Sequence, residues 1–244
     1  MTILVVGANG ATGQQLLSQL LKRGEQVKAI IRPGALLPEA IKSHNNLQLI
    51  VAELSELSVY ELAGYMHDCN AALSCLGHTL SFKGIFGPPR RLVTDAIRLL
   101  CQAIELNKTP SPTKLVLMNT TGNRNRDNHE PISFPQHLVI GLLGLVLPPH
   151  VDNEQAADFL RSEIGQQHPN IDWVAVRPDG LIDHDAVTAY QLHPSPTRSA
   201  IFDAGQTSRI NVGHFMAELV TNDVPWQEWK GKMPVIYNSS DDTV

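Results

Sequence analysis

The 244-residue chain predicts an α/β fold, a doubly wound and mostly parallel sheet with helices on both faces. Three observations carry that expectation. Short β-branched runs alternate with amphipathic stretches through the first half of the chain. The strand-like runs are almost continuously apolar, as strands covered on both faces must be. A glycine-rich turn, GANGATG at residues 7–13, joins the first run to the first amphipathic stretch.

Taken in order, strands are expected at Ile3–Val6, Val27–Ile31, Leu47–Val51, Ala71–Cys75 and Lys114–Met118. Helices are expected between them at Thr12–Arg23, Val59–His67 and Leu92–Asn107. Gly24 stands just past the first helix, where a C-terminal cap belongs. After the fifth strand the alternation breaks, and residues 119–150 mix turn residues, histidines and one apolar segment, Leu138–Leu147. A helix near Asn153–Gly165 and a strand at Trp173–Val176 follow, then a loop-rich stretch at 183–211 with prolines at 194 and 196. Val212–Thr221 reads as a helix and Pro234–Tyr237 as a last strand. No repeat or linker divides the chain, so residues 1–244 are read as one domain. Its late loops, about 123–150 and 183–211, are expected to form the substrate pocket.

Composition narrows the class. Net charge is −5, the sequence pI is about 6.0, and basic residues do not cluster beyond Lys22-Arg23 and Arg90-Arg91. That pattern carries no electrostatic footprint for nucleic acid. No apolar run reaches the roughly 18 residues a membrane helix needs. The opening MTILVVG has neither basic flank nor cleavage site and reads as a first strand. Cys69, Cys75 and Cys101 are odd in number and irregular in spacing, which fits a reducing cytoplasm better than a disulfide framework or a zinc site. The ten histidines form no HExxH, and no GxSxG elbow marks a hydrolase.

The glycine turn points to a nucleotide. Gly7, Gly10 and Gly13 would let the turn be tight, let backbone approach a pyrophosphate, and let the first helix pack closely on its strand. The helix start offers free N–H groups, and Asn9, Ala11 and Thr12 add little bulk. Arg32 ends the second strand, where an acidic residue would select the ribose hydroxyl of NAD. An arginine instead suits the 2′-phosphate of NADP, which is therefore preferred, with NAD left open. From topology, Glu53 and Leu54 after the third strand flank the adenine, and Cys75, Leu76 and Gly77 after the fourth pass beneath the ribose and pyrophosphate. For Cys75 a small core residue is the more ordinary role.

These features together resemble the atypical short-chain dehydrogenase/reductase superfamily, specifically its NmrA-like NAD(P)H-binding branch. Besides GANGATG and Arg32, Asn119-Thr120-Thr121-Gly122 is similar to the family's Ser/Thr-rich strand end, and VAVRPDGL at 174–181 to its VRPG-x-L segment, which runs beside the nicotinamide. INVGHFMAEL at 210–219 resembles a late family helix, with Gly213 and His214 displacing the usual pattern. The GHFM stretch is similar to one near the C-terminus of the biliverdin/flavin reductases. The resemblance covers residues 1–122 and 151–237. It implies a Rossmann-type fold, hydride transfer to a small-molecule acceptor, and Asn119 and Pro178 beside the cofactor.

The superfamily's catalytic apparatus is a Ser or Thr with a Tyr-x-x-x-Lys helix. None of Tyr60, Tyr65, Tyr190 and Tyr237 has a lysine four residues on. Aligned on Leu160-Arg161, the lysine position falls at Asn153. Thr120 is left as the catalytic candidate, with Thr121 as its neighbour; Asn119, His150 and Asn153 are placed to orient an acceptor, and His129, His137 and His150 are candidates for a titrating group. Flavins, quinones and conjugated dyes need little more than stacking and one proton. Two readings stand: an NADPH-dependent reductase of a planar or carbonyl acceptor, and a non-catalytic NADP-binding sensor that signals to a protein partner. A homodimer is left open.

Overall fold

The computed structural model describes residues 1–78, 87, 89–128, 130, 148–200 and 202–239. The apolar segment Leu138–Leu147, His129, His137 and most of the 123–150 stretch lie outside the described residues.

Seven strands lie parallel in one sheet: β1 (Thr2–Val6), β2 (Gln26–Ile31), β3 (Leu47–Val51), β4 (Ala71–Ser74), β5 (Thr113–Met118), β6 (Ile171–Pro178) and β10 (Val235–Asn238). Their order is β3-β2-β1-β4-β5-β6-β10, and β8 (Tyr190–His193) adds an antiparallel edge on β10. The chain therefore winds outward from β1 to β3, returns to the centre, and winds the other way from β4. A separate parallel pair joins β7 (Gly180–Ile182) to β9 (Gln206–Ser208).

The alternation of each strand feeds two cores. Leu4, Val6, Ala72, Leu115, Leu117 and Trp173 face the helices α3 (Val59–Met66), α4 (Leu92–Asn107) and α5 (Pro148–Phe159), which contribute Leu62, Ile97, Leu100 and Phe159. Ile3, Val5, Leu73, Val116 and Val174 face the opposite layer of α1 (Ala11–Lys22), α6 (Arg209–Thr221) and α7 (Asp223–Trp229). A short α2 (Glu39–Lys42) packs beside β3. Because successive side chains leave a strand on opposite sides, continuous apolar runs are what a sheet buried on both faces requires.

The structure departs from the sequence expectation in the second half. The helix expected to start near Asn153 starts at Pro148, where two prolines occupy the first turn and their missing N–H groups cost nothing. It ends in a π-turn, Leu160–Ile164, closed by Gly165 N–H to the Leu160 carbonyl at 2.9 Å. The loop-rich stretch 183–211 contains β8 and β9, strands too short to show a period. The helix α7 has only seven residues and rests on Trp226 and Trp229, so it too lacks a readable repeat.

Gly213 explains one irregularity of the sequence. A Cβ there would lie 2.8 Å from the backbone nitrogen of Leu16. Glycine lets α6 press directly on α1, the helix behind the glycine turn.

Candidate functional site: a dinucleotide cradle

Gly7 leaves β1 with φ of +72°, a conformation that L side chains rarely adopt. A Cβ there would stand 2.5 Å from the carbonyl carbon of Cys75 and 2.6 Å from the nitrogen of Leu76. The turn after β1 thus lies backbone against backbone on the segment leaving β4. β1 and β4 are neighbours at the point where strand order reverses, which is the crevice where open α/β sheets bind ligands. A Cβ on Gly13 would collide with the Gly7 carbonyl oxygen and lie 2.9 Å from the Cα of Ala8.

Gly10 caps α1 with extended backbone and no side chain, and its N–H donates to the Gly7 carbonyl at 3.1 Å. Gln14 N–H makes the first intrahelical bond, to the Gly10 carbonyl. The N–H groups of Ala11, Thr12 and Gly13 have no carbonyl one turn earlier to bond, so they and the dipole end remain for an anion. Asn9 is half-buried, its carbonyl accepting from Gln14 Nε2 at 3.0 Å, and Thr12 is buried in the first turn. The cradle that side chains would fill is kept empty by glycine, and its donors suit a pyrophosphate. These residues fit a dinucleotide, which would supply hydride through its nicotinamide.

Arg32 is the first residue past β2 and is exposed. Its carbonyl accepts from Ala35 N–H at 3.0 Å, closing a turn with Gly34 at φ +78°. Its guanidinium has no ion-pair partner among the described residues. The segment after β3 lies alongside, through Ala52 N–H to the Ile31 carbonyl at 2.9 Å. Glu53 is half-buried there, whereas the Leu54 side chain enters the core. Cys75 is likewise a core residue: burial pushes its thiol up to about 12, and Sγ lies 3.9 Å from the Met216 sulfur. Leu76 packs partly on the core and Gly77 is exposed.

At the end of β5, Asn119 Nδ2 donates to the Asn153 carbonyl at 2.9 Å, and Thr120 N–H donates to Asn119 Oδ1 at 2.8 Å. Thr120 Oγ1 accepts from Gly122 N–H at 3.2 Å. A Cβ placed on Gly122 would lie 3.5 Å from His150 Cε1 and 3.6 Å from Thr120 Oγ1, so imidazole and hydroxyl flank that glycine. Thr121 is buried, its N–H donating to the Pro178 carbonyl at 3.0 Å. Asn119, Thr120, His150, Asn153 and Pro178 are therefore brought together by the loop after β5, the first turns of α5 and the end of β6. None of the four tyrosines is on α5: Tyr60 and Tyr65 are on α3, Tyr190 on β8 and Tyr237 on β10.

Arg177, inside the VRPDGL segment, is completely buried. Nε donates to the Met233 carbonyl at 2.8 Å, and the guanidinium grips Glu130 at 2.7 and 3.0 Å and the Asn123 and Pro194 carbonyls. It staples the loops over β6 and has no donor left to face a ligand.

Two arrangements were missed from sequence. Asp152, fully buried, accepts from the Val93 and Thr94 N–H groups at 2.8 and 2.9 Å and from His78 Nε2 at 2.8 Å. It caps α4, whose own N-cap residue Arg91 makes no side-chain cap. Asp179 follows Pro178, and its Oδ2 accepts from Gly205 N–H at 2.8 Å. The only signal in the sequence was an aspartate where the family motif has glycine.

Residues 7–223 match the NAD(P)H-binding family. The chain belongs to that family. An uncharacterised chloroplastic protein of Arabidopsis thaliana is 26% identical over 195 residues, 80% of this chain and 64% of the relative, so the chain spans somewhat under two thirds of that protein. A short-chain dehydrogenase/reductase of Veillonella parvula in complex with NADP superposes with a TM-score of 0.70 at 15% identity, covering 98% of this chain and 95% of the other. A putative NADH-flavin reductase of Streptococcus pneumoniae gives 0.65 at 17%, covering 98% and 100%. The anaerobillin reductase ChuY of Escherichia coli O157:H7 gives 0.66 at 15%, covering 98% of both. At these identities the structures share the Rossmann-type fold. Among the described residues, no helix is long and apolar enough to cross a membrane.

Proposed function

We propose that the chain is an NADPH-dependent oxidoreductase that reduces a small planar or carbonyl acceptor such as a flavin or quinone. The observation that carries it is the glycine cradle of Gly7 and Gly13 against Cys75-Leu76, with Arg32 at the end of the neighbouring strand and without an ion-pair partner among the described residues. The guanidinium favours the 2′-phosphate of NADP over the bare ribose of NAD. The acceptor class follows from what the site holds. Asn119, Thr120 and His150 offer hydrogen bonds, while α5 carries asparagine at the lysine position, and this favours acceptors that take hydride without a tyrosine–lysine pair. The flavin and anaerobillin reductases among the structural neighbours act on such conjugated molecules by their names. Three buried free cysteines support a reducing compartment such as the cytoplasm.

The test mixes purified protein with NADPH or NADH and a panel of flavins, quinones, linear tetrapyrroles and aldehydes, following the nicotinamide absorbance. Turnover with NADPH is expected, with Thr120→Val lowering it while leaving NADPH binding intact. Arg32→Ala should weaken NADPH about 10- to 100-fold relative to NADH, the worth of one charge-assisted contact; an unchanged ratio rules out the 2′-phosphate role. Binding without turnover on any acceptor would instead favour a non-catalytic NADP-binding sensor of the NmrA-like kind.

A further inference from the structure

We propose that Asp179 is the proton donor to the reduced acceptor, held in place by the Gly205 N–H and by the backbone bond from Thr121 to Pro178. The inference rests on the reductase reading above and adds the group that reading lacks.

Asp179 is the first residue past β6, and β6 lies beside β5, whose end carries Asn119 and Thr120. Thr121 N–H bonds the Pro178 carbonyl at 3.0 Å, which ties the segment leaving β5 to the residue before Asp179. From the other side Gly205 N–H donates to Oδ2 at 2.8 Å, and Gly180 N–H bonds the Gly205 carbonyl at 3.1 Å. The Asp179 N–H reaches Thr207 Oγ1 at 3.4 Å. A Cβ on Gly205 would lie 2.5 Å from the Tyr237 ring and 3.5 Å from Asp179 Oδ2, so carboxyl, glycine and ring form one packed corner. Three segments thus converge on a half-buried carboxyl at the carboxyl edge of the sheet: the end of β5, the end of β6 and the late loop before β9.

Among the described residues, the charged and titratable groups facing it are Arg198 and, from β10, Tyr237. Arg198 is exposed and already bound to Asp203 at 2.7 Å, so it neutralises Asp179 only weakly. Burial raises the Asp179 carboxyl above its ordinary value, against the opposing pull of the Gly205 N–H and of Arg198. A carboxyl shifted in that direction holds its proton more readily than an exposed aspartate, the direction a general acid requires.

The step balances. The acceptor receives hydride with its electron pair from a dihydronicotinamide, which leaves oxidised. A π pair of the acceptor moves to its heteroatom, which takes the proton from Asp179. The O–H pair stays on the carboxylate until solvent returns a proton.

The test compares wild type with Asp179→Asn and Asp179→Glu, using NADPH and the most active acceptor of the panel. Asparagine can still accept from Gly205, and unchanged circular dichroism and NADPH binding would establish that the site is intact. Asn should lower kcat about 100-fold with little change in KM and abolish the fall of kcat as pH rises through the Asp179 titration, while Glu restores part of both. A second readout needs no turnover: carboxyl-carbon NMR of the wild type, with Asp179→Asn for assignment, should show a titration above the ordinary aspartate range. A kcat profile of Asp179→Asn that matches wild type overturns this role and leaves the reductase reading standing, as does an ordinary titration. A wild-type protein inactive on the whole panel overturns both.

Discussion

At Gly7 two constraints meet in one residue: a positive φ and a backbone neighbour 2.5 Å from where a side chain would begin. Gly7→Ala must strain the turn and push β1's exit away from Cys75, which carries the floor of the cradle. A loss of about 2–3 kcal/mol is expected, together with loss of dinucleotide binding; urea unfolding and fluorescence titration measure the two. Full binding in Gly7→Ala would show that the turn does not shape the site. The glycine pattern was legible because such a demand is local: it appears wherever a tight turn meets a close approach. Arg32 was legible for the same reason, since its place after β2 follows from counting along the chain. Asp179 was not, because its role depends on Gly205, which lies 26 residues away in sequence.

Among the elements, α4 and α6 depend on distant partners. The N-terminus of α4 is capped from α5, by Asp152, rather than by its own Arg91. Asp152→Ala leaves two helix N–H groups and His78 without their buried carboxylate. About 3 kcal/mol or more of stability should be lost, with amide exchange rising first at Val93 and Thr94; an exchange pattern like wild type would contradict the cap. On α6, Tyr190 and His214 Nδ1 are 2.9 Å apart, and Glu218 binds Arg23 of the α1 C-terminus at 2.5 Å. Burial lowers the His214 pKa, Arg23 lowers it further, and Glu218 acts the other way. With the folded value below the unfolded one, the unfolded chain takes up the proton first. This contribution is therefore present above about 6.5 and is lost as pH falls through the folded His214 value. His214→Gln should flatten the stability profile in that window, read as melting temperature against pH. An identical slope in the variant would remove His214 from the account. The helix start at Pro148 illustrates how element boundaries escape a sequence reading: paired prolines signal a loop locally, yet suit a first helical turn.

Across the whole molecule, the sheet order carries the site. Parallel strands whose ends gather at one edge bring residues 7–13, 32, 75–78, 119–122 and 177–179 together. Arg177 and Glu130 hold the later loops to this edge through a buried ion pair. Glu130→Gln leaves the guanidinium buried with its charge uncompensated, so about 3 kcal/mol should be lost, with acceptor KM rising more than dinucleotide affinity falls. Equal loss of both would mean that the pair supports the whole sheet rather than the acceptor side.

The sequence by itself determined the doubly wound sheet, the glycine cradle and the arginine beside it. Each rests on periodicity or turn chemistry that acts over a few residues, and the strand spacing then implies where the cradle must lie. Only the tertiary structure decided that Arg177 is a staple, that Asp152 caps a helix 58 residues away, and that Asp179 meets Gly205. Those roles come from burial and from charges opposed across elements, which exist only once strand order has set which chain ends are neighbours.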